Sequence, residues 1–204
     1  DFTITFDEAV TATTYSLTTG GTATEGTDYE TIPDISISGL STTFSLTPTD
    51  DSISDINETV VLNLSAINPD NRLCTKTITS PTITIIDNEA APTVTLATSA
   101  TSIEENAGSS ITLTATSSII SGSDITVSFD TSGTATEGTD YGNISDITIL
   151  AGSTTGTTTF TPTDDTTYET STDETATIAI GTVSGGGASE SGSQSVTITI
   201  EEND

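Results

Sequence analysis

The nonapeptide GTATEGTDY occupies residues 21–29 and recurs unchanged at residues 133–141. The two copies begin 112 positions apart (133 minus 21), and most of the sequence between them differs. Its first half alternates like a strand, its second glycine permits a turn, and its tyrosine is expected to be buried with the hydroxyl bonded to backbone. We predict that each copy ends in a turn that presents one carboxylate, Asp28 or Asp140, at one end of a β-sandwich.

The repetition extends far beyond this nonapeptide. Further matching pairs follow in the same order, with an offset that drifts only from 112 to 116 positions: TPTDD at 47–51 and 161–165, NETVVLNL at 57–64 and DETATIAI at 173–180, and TITIIDNE at 82–89 and TITIEEND at 197–204. A period near 115 residues is the size of a domain and too long for a solenoid repeat. We therefore predict two domains of one type, at residues 1–90 and 91–204, the first without its initial strand.

The hydrophobic pattern is that of strands. Apolar residues alternate with polar ones at Ile125, Val127 and Phe129, and the chain contains 50 threonines, which favour pleated sheets. The same alternation occurs at three other places: Val60, Leu62 and Leu64; Ile111, Leu113 and Ala115; and Val196, Ile198 and Ile200. The predicted fold class is all-β, with two tandem antiparallel immunoglobulin-like β-sandwiches in an extended rod.

The charge balance excludes several classes of function. Thirty acidic residues stand against two basic ones, for a formal charge of −28, which repels nucleic acids and anionic membranes. The chain has no histidine, so no Ser-His-Asp triad is possible, and its few aromatic residues argue against a carbohydrate-cleaving cleft. The single cysteine, Cys74, cannot form an internal disulfide. We expect no enzyme and no membrane insertion.

Acidic residues occur mainly where predicted strands give way to loops. Two carboxylates about 4 Å apart repel by roughly 4 kcal/mol at an effective dielectric of 20, and the only bases, Arg72 and Lys76, lie in the first copy. Oxygen ligands without histidine or cysteine favour calcium over zinc or copper, with magnesium as the alternative. The competing interpretation is a solvated acidic surface, as in a salt-adapted protein. The predicted calcium ligands are Asp28, Asp50, Asp51, Asp55, Glu58, Asp87 and Glu89 in copy one, and Glu105, Asp140, Asp164, Asp165, Glu169, Glu174, Glu202 and Asp204 in copy two, where Asp173 competes with Glu174.

These motifs resemble the Calx-beta family, a calcium-binding sandwich of sodium–calcium exchangers. Copy two matches the family's order over its whole length, with ENAG at 105–108, the nonapeptide, the pair at 164–165 and EEND at 201–204. In copy one, Asp55 and Glu58 follow the acidic pair at a spacing similar to that of the family's ligands. Copy two keeps the first step, to Glu169, but its next acids are displaced. The resemblance implies a Calx-beta-like fold and calcium as the bound ion.

Three stretches of copy two carry a narrower resemblance: TATEGTDY at 134–141, SDITI at 145–149 and GSTTGTTTFTPTDD at 152–165. They resemble repeats of giant adhesins of gliding Bacteroidetes. This resemblance implies a calcium-stiffened structural repeat of a secreted protein at the cell surface. The partners it implies are neighbouring repeats of the same polypeptide and a surface polysaccharide or other adhesion target. The alternative function is a calcium-sensing or ligand-binding module of an extracellular or membrane-anchored protein.

Overall fold

The computed structural model describes residues 1–65, 81–166 and 173–202. The chain divides into two compact units, unit 1 with Asp1–Asp51 and Asn57–Asp87, and unit 2 with Ser52–Ile56 and Asn88–Asp204. Every regular element in the described ranges is a β-strand, which confirms the predicted all-β class. None of those residues forms a helix with the length and apolar character needed to cross a membrane.

Unit 1 is built on one long strand that takes part in two ladders. Its strands are β1 (Phe2–Gly21), β2 (Ile35–Phe44), β3 (Glu58–Ser65) and β4 (Thr82–Ile85), paired antiparallel in the order β2-β1-β3-β4. The first part of β1 pairs with β2, from Phe2 opposite Phe44 to Tyr15 opposite Ile35. The remainder, from Ser16 onward, pairs with β3.

The core of unit 1 joins side chains from both ladders. Tyr29, Val60 and Leu62 are buried, and Phe2 and Phe44 pack against them from the β1–β2 ladder. Since residues from the two ladders meet in one core, unit 1 has the sandwich arrangement that the alternation predicts. The rings of Phe2 and Phe44 stack with their centroids 5.3 Å apart.

Unit 2 is a sandwich of two sheets. Its strands are β5 (Thr93–Thr98), β6 (Ser102–Glu104), β7 (Ile111–Ser117), β8 (Ile125–Gly133), β9 (Ile147–Ile149), β10 (Thr155–Phe160), β11 (Glu174–Ser184), β12 (Ser189–Glu190) and β13 (Ser195–Glu201). One sheet has the order β10-β7-β5-β12 and the other β6-β13-β11-β8-β9. Buried residues of both sheets form one core, because strands such as β7, β8 and β11 turn their apolar faces inward.

The core contains the alternating residues that the sequence singles out. Ile111, Leu113, Ala115, Ile125 and Val127 are all buried. Ile198 and Ile200 of β13 are also buried, and Phe129 and Val196 are partly buried against the same core. In unit 1 the prediction holds for Val60 and Leu62, while the side chain of Leu64 lies outside the described residues.

The two units repeat the same strand register. In unit 2, Val127 faces Ile147 across β8 and β9, and in unit 1 Tyr15 faces Ile35 at positions 112 residues earlier. The units also differ: unit 2 has separate strands, β7 and β8 and again β9 and β10, where unit 1 has the continuous strands β1 and β2.

Two pairings in unit 2 are parallel and accompany the antiparallel ones that the sequence predicts. β6 pairs with β13, and β12 pairs with β5. Parallel partners need long connections, so their pairing leaves no mark in local periodicity. The β6–β13 pair matters for the site because it sets Glu104 opposite Glu201.

Unit 2 also includes the short segment Ser52–Ile56. The backbone N–H of Ser54 donates to the carbonyl of Ile120 at 2.9 Å, and the N–H of Gly122 donates to the carbonyl of Ser54 at 3.1 Å. The sequence repeats give no indication of this grouping.

Candidate metal centre

The nonapeptide of unit 2 leaves β8 at a position that only glycine can occupy without strain. Gly133 has a φ of +129°, and a Cβ placed there would lie 2.0 Å from the carbonyl oxygen of Thr175. The same carbonyl accepts the N–H of Ala135 at 3.0 Å. The chain therefore passes against β11 in a conformation that residues with a side chain cannot adopt without strain.

Two carboxylates close the turn that follows. Oδ2 of Asp140 accepts the N–H of Thr136 at 2.5 Å. Glu137 accepts the N–H of Ile144 at 2.8 Å through Oε1 and the hydroxyl of Thr131 at 3.0 Å through Oε2. Asp140, predicted as a metal ligand, thus already holds its own turn with one carboxylate oxygen.

Tyr141 anchors the turn in the core. It is 1% exposed, and its ring stacks on Phe160 with centroids 4.7 Å apart. Burial raises the pKa of Tyr141, and its interaction with the side chain of Thr131 counteracts part of that rise. The tyrosine is buried as predicted.

Unit 1 repeats this turn almost bond for bond. Oδ2 of Asp28 accepts the N–H of Thr24 at 2.5 Å, and Oε1 of Glu25 accepts the N–H of Ile32 at 3.1 Å. Tyr29 is again 1% exposed. The identity of the two nonapeptides therefore reflects a shared backbone geometry, held by side chains of the nonapeptide itself.

Each turn also forms backbone hydrogen bonds with the TPTDD segment of its own unit. In unit 2 the N–H of Gly142 donates to the carbonyl of Thr161 and the N–H of Thr163 donates to the carbonyl of Asp140, both at 3.0 Å. In unit 1 the matching bonds run from Glu30 to Thr47 at 2.9 Å and from Thr49 to Asp28 at 3.0 Å. The acidic pairs Asp50-Asp51 and Asp164-Asp165 are the last two residues of these segments, so the same backbone bonds place them equivalently in the two units.

The acids of unit 2 come together around Glu105. This residue follows β6, is only 9% exposed, and donates its backbone N–H to the carbonyl of Glu201 at 3.0 Å. Its Oε1 accepts the N–H of Asp165 at 3.3 Å. Burial raises the pKa of Glu105, and the hydrogen bond from the Asp165 N–H lowers it. The nearby carboxyls of Glu202 and Asp165 raise this pKa further, and that of Glu202 is also hydrogen-bonded to Glu105.

The donor chemistry of these side chains suits a hard cation. Glu105, Asp165 and Glu202 supply only oxygen donors, which calcium prefers, and residues 91–204 contain no lysine, arginine or histidine to neutralise them. The three residues belong to separate segments, after β6, β10 and β13, so an ion shared by them would join distant parts of the chain.

The other predicted ligands of unit 2 are placed less uniformly. Glu174 begins β11 opposite Ile200, and its Oε2 is fully withdrawn from solvent, whereas Asp173 beside it is exposed. Asp164 is exposed next to Asp165. Glu169 and Asp204 lie outside the described residues.

The predicted ligands of copy one are divided between the two units. Unit 1 contains Asp28, Asp50, Asp51, Glu58 and Asp87, while Asp55 and Glu89 belong to unit 2. Among these, the backbone N–H of Asp87 donates to Oδ1 of Asn57 at 3.2 Å. The carboxylate of Asp55 lies against Gly122, where an added Cβ would come 1.7 Å from Oδ1.

Within the described ranges, no group of three acidic, histidine or cysteine side chains is arranged closely enough to hold a metal ion. Two of the predicted ligands of copy two fall outside those ranges. Glu105 has the carboxyls of Asp165 and Glu202 nearby, and a chelating set needs further ligands or a shift of side chains.

The sequence reasoning did not identify Glu25 and Glu137 as functional residues. Both lie in the repeated nonapeptide, and each bonds to a backbone group seven positions ahead. The signal that could have found them is the repetition itself, because a loop glutamate without a partner has no reason to recur.

No protein-family model matches the chain, and no curated protein matches it. Among solved structures, the apo-form Calx CBD1 domain is 20% identical and covers 55% of this chain and 99% of that chain, with a TM-score of 0.45. The CBD12 structure from CALX1.2 is 16% identical and covers 94% of this chain and 88% of its own, with a TM-score of 0.42. The calcium binding domain CBD12 of CALX1.1 is 17% identical over 84% of this chain and 68% of its own, with a TM-score of 0.34.

Proposed function

We propose that this chain is a non-catalytic calcium-binding module and that unit 2 holds calcium at Glu105, Asp165 and Glu202. The observation that carries the proposal is the burial of Glu105 against two other carboxyls, with the consequent rise of its pKa. Burial and like charges disfavour the ionised form of this group unless a cation is near, and copy two has no basic side chain to offer. At neutral pH a divalent cation is the effective remedy.

Calcium suits this donor set better than other common ions. It takes six to eight oxygen ligands in flexible geometry, whereas magnesium keeps more water and zinc prefers nitrogen and sulfur. Asp140, Asp164 and Glu174 are the further carboxylates that could complete the shell. The ion would cancel the repulsion among the acids and tie together the segments that follow β6, β10 and β13.

The proposal is tested by thermal melting in calcium, in magnesium and in chelator. At a free calcium concentration about 100 times the dissociation constant, each site should add about 2.7 kcal/mol of stability. Equal melting temperatures in calcium and chelator would remove the proposal. An equal response to magnesium would leave a cation site but contradict selectivity for calcium.

We further propose that the chain is a structural repeat of a large secreted adhesin at the cell surface, in which calcium stiffens each domain and the link between domains. Support comes from the sequence: two closely similar copies in tandem, a formal charge of −28, and two acids, Asp87 and Glu89, immediately before the second copy. The proposed partners are neighbouring repeats and a surface polysaccharide or other adhesion target. Antibody labelling of intact cells of the source organism, compared with permeabilised cells, tests the location.

A further inference from the structure

Glu137 uses both carboxylate oxygens to close the unit 2 turn on itself. Oε1 accepts the N–H of Ile144 at 2.8 Å, and Oε2 accepts the hydroxyl of Thr131 at 3.0 Å. The first bond joins the middle of the nonapeptide to the residue just beyond its end, and the second joins it to strand β8. Glu137 is thus a brace between a loop and the sheet, and it is partly buried there.

A continuous set of contacts runs from this brace to the proposed ligands. Thr131 also interacts with Tyr141, which is buried and whose ring stacks on Phe160 with centroids 4.7 Å apart. Phe160 ends β10 and is followed at once by the TPTDD segment, whose Thr163 donates its N–H to the carbonyl of Asp140 at 3.0 Å. Asp165 closes that segment and donates its N–H to Glu105.

We propose that Glu137 is a positioning residue of the unit 2 calcium centre, which fixes Asp140 and the 164–165 pair without touching the ion. This inference rests on the proposed calcium-binding function. A cluster of like charges does not hold its own geometry, so the shape of the ligand set must come from neutral bonds around it. When those bonds exist before binding, the ligands are already ordered and lose less conformational entropy as calcium binds, so the affinity is higher.

The test uses the full chain and calcium alone, with calorimetric titration to measure affinity and melting in chelator to measure apo stability. Glu137→Ala should weaken one class of calcium sites by about tenfold, the typical effect of losing a charged hydrogen bond. Glu137→Gln keeps an acceptor for the Ile144 N–H and should recover most of that affinity. The number of sites should remain that of the wild type.

Two further variants separate positioning from general stability. Glu190→Ala removes a comparable bond, in which Oε1 of Glu190 accepts the N–H of Gln194 between β12 and β13. It should leave calcium affinity unchanged. Thr131→Val removes the hydroxyl between Glu137 and Tyr141 while conserving shape, so it should also weaken binding and serves if Glu137→Ala does not fold.

The outcomes distinguish the two proposals. If the wild type takes up no calcium, the proposed function itself is wrong. If the wild type binds and both Glu137→Ala and Thr131→Val keep its affinity while melting lower in chelator, Glu137 only stabilises the fold and the positioning role is overturned. If Glu190→Ala weakens calcium binding as much as Glu137→Ala, the effect is general and the inference also fails.

Discussion

The backbone N–H of Asp165 donates to Oε1 of Glu105 at 3.3 Å, across 60 positions of sequence. This bond links the end of the TPTDD segment to the residue that follows β6. It brings one acidic side chain beside another without any basic group between them. Without a cation, the proximity of these two carboxylates destabilises the fold. Such a cost is expected at a site whose purpose is to bind a cation.

Replacing Asp165 with alanine should remove most calcium affinity from unit 2 and leave apo stability equal or higher. The carboxylate of Asp165 contributes to the raised pKa of Glu105, so its removal relieves repulsion in the apo protein. Calorimetric titration should show a loss of at least about tenfold in affinity at one class of sites. Titration identical to that of the wild type would show that Asp165 is not a ligand.

The stability of the apo protein should depend on the protonation of Glu105. Its pKa in the folded state is raised above the ordinary value of 4.5, so folding favours the protonated form. The resulting stabilisation is fully present below the ordinary value and is lost as pH rises through the folded pKa. In chelator, the wild type should therefore lose stability over that interval relative to Glu105→Gln, which cannot ionise.

Calcium should reverse this dependence, because the ion binds ionised carboxylates and so competes with the proton. The difference in melting temperature between calcium and chelator should grow as pH rises from about 4.5 towards neutrality. If the difference in melting temperature between the wild type and Glu105→Gln in chelator is the same at every pH, this titration does not belong to Glu105.

The sequence contained enough information to predict the strands and their buried faces. Alternation at Ile111, Leu113, Ala115, Ile125 and Val127 is a local property, and all five residues are buried. It did not predict the parallel pairing of β6 with β13, since that pairing joins segments far apart in the chain. Local patterns report which face of a strand is buried but not which strand lies next to it.

The candidate site was predicted in part. The acidic pairs were recognised by their recurrence, but the burial of Glu105 depends on the β6–β13 ladder and could not be read from composition. The nonapeptide was interpreted as a carrier of a calcium ligand. The structure shows that the turn depends on its glycines, Glu137, Asp140 and Tyr141. The hydrogen bonds and burial behind these roles cannot be derived from the sequence alone.

Two glycines of the same turn should differ in their tolerance of alanine. Gly133 has a φ of +129°, and its Cβ would lie 2.0 Å from a backbone carbonyl, so Gly133→Ala combines conformational strain with a clash that side chains cannot relieve. Gly138 has a φ of +84°, and its nearest atom would be 3.6 Å away. We expect a loss of about 3 kcal/mol or more for the first and about 1–2 kcal/mol for the second. Urea unfolding in chelator measures both, and equal losses would show that the approach to Thr175 is not a constraint.

Substitutions of Asp140 should separate its hydrogen bond from its charge. Oδ2 of Asp140 accepts the N–H of Thr136 at 2.5 Å, a bond that the amide oxygen of asparagine can also accept. Asp140→Asn should therefore melt like the wild type in chelator but bind calcium more weakly, because one negative charge is lost from the proposed ligand set. Asp140→Ala should lose both properties, with an apo cost of about 1–3 kcal/mol for the unsatisfied N–H.

The equivalent substitutions of Asp28 give the matched comparison in unit 1, where the same bond to Thr24 also measures 2.5 Å. If Asp140→Asn binds calcium as tightly as the wild type, Asp140 holds the turn and is not a ligand. If Asp140→Asn instead melts as low in chelator as Asp140→Ala, the charge itself stabilises the turn, because a neutral acceptor in the same position does not replace it.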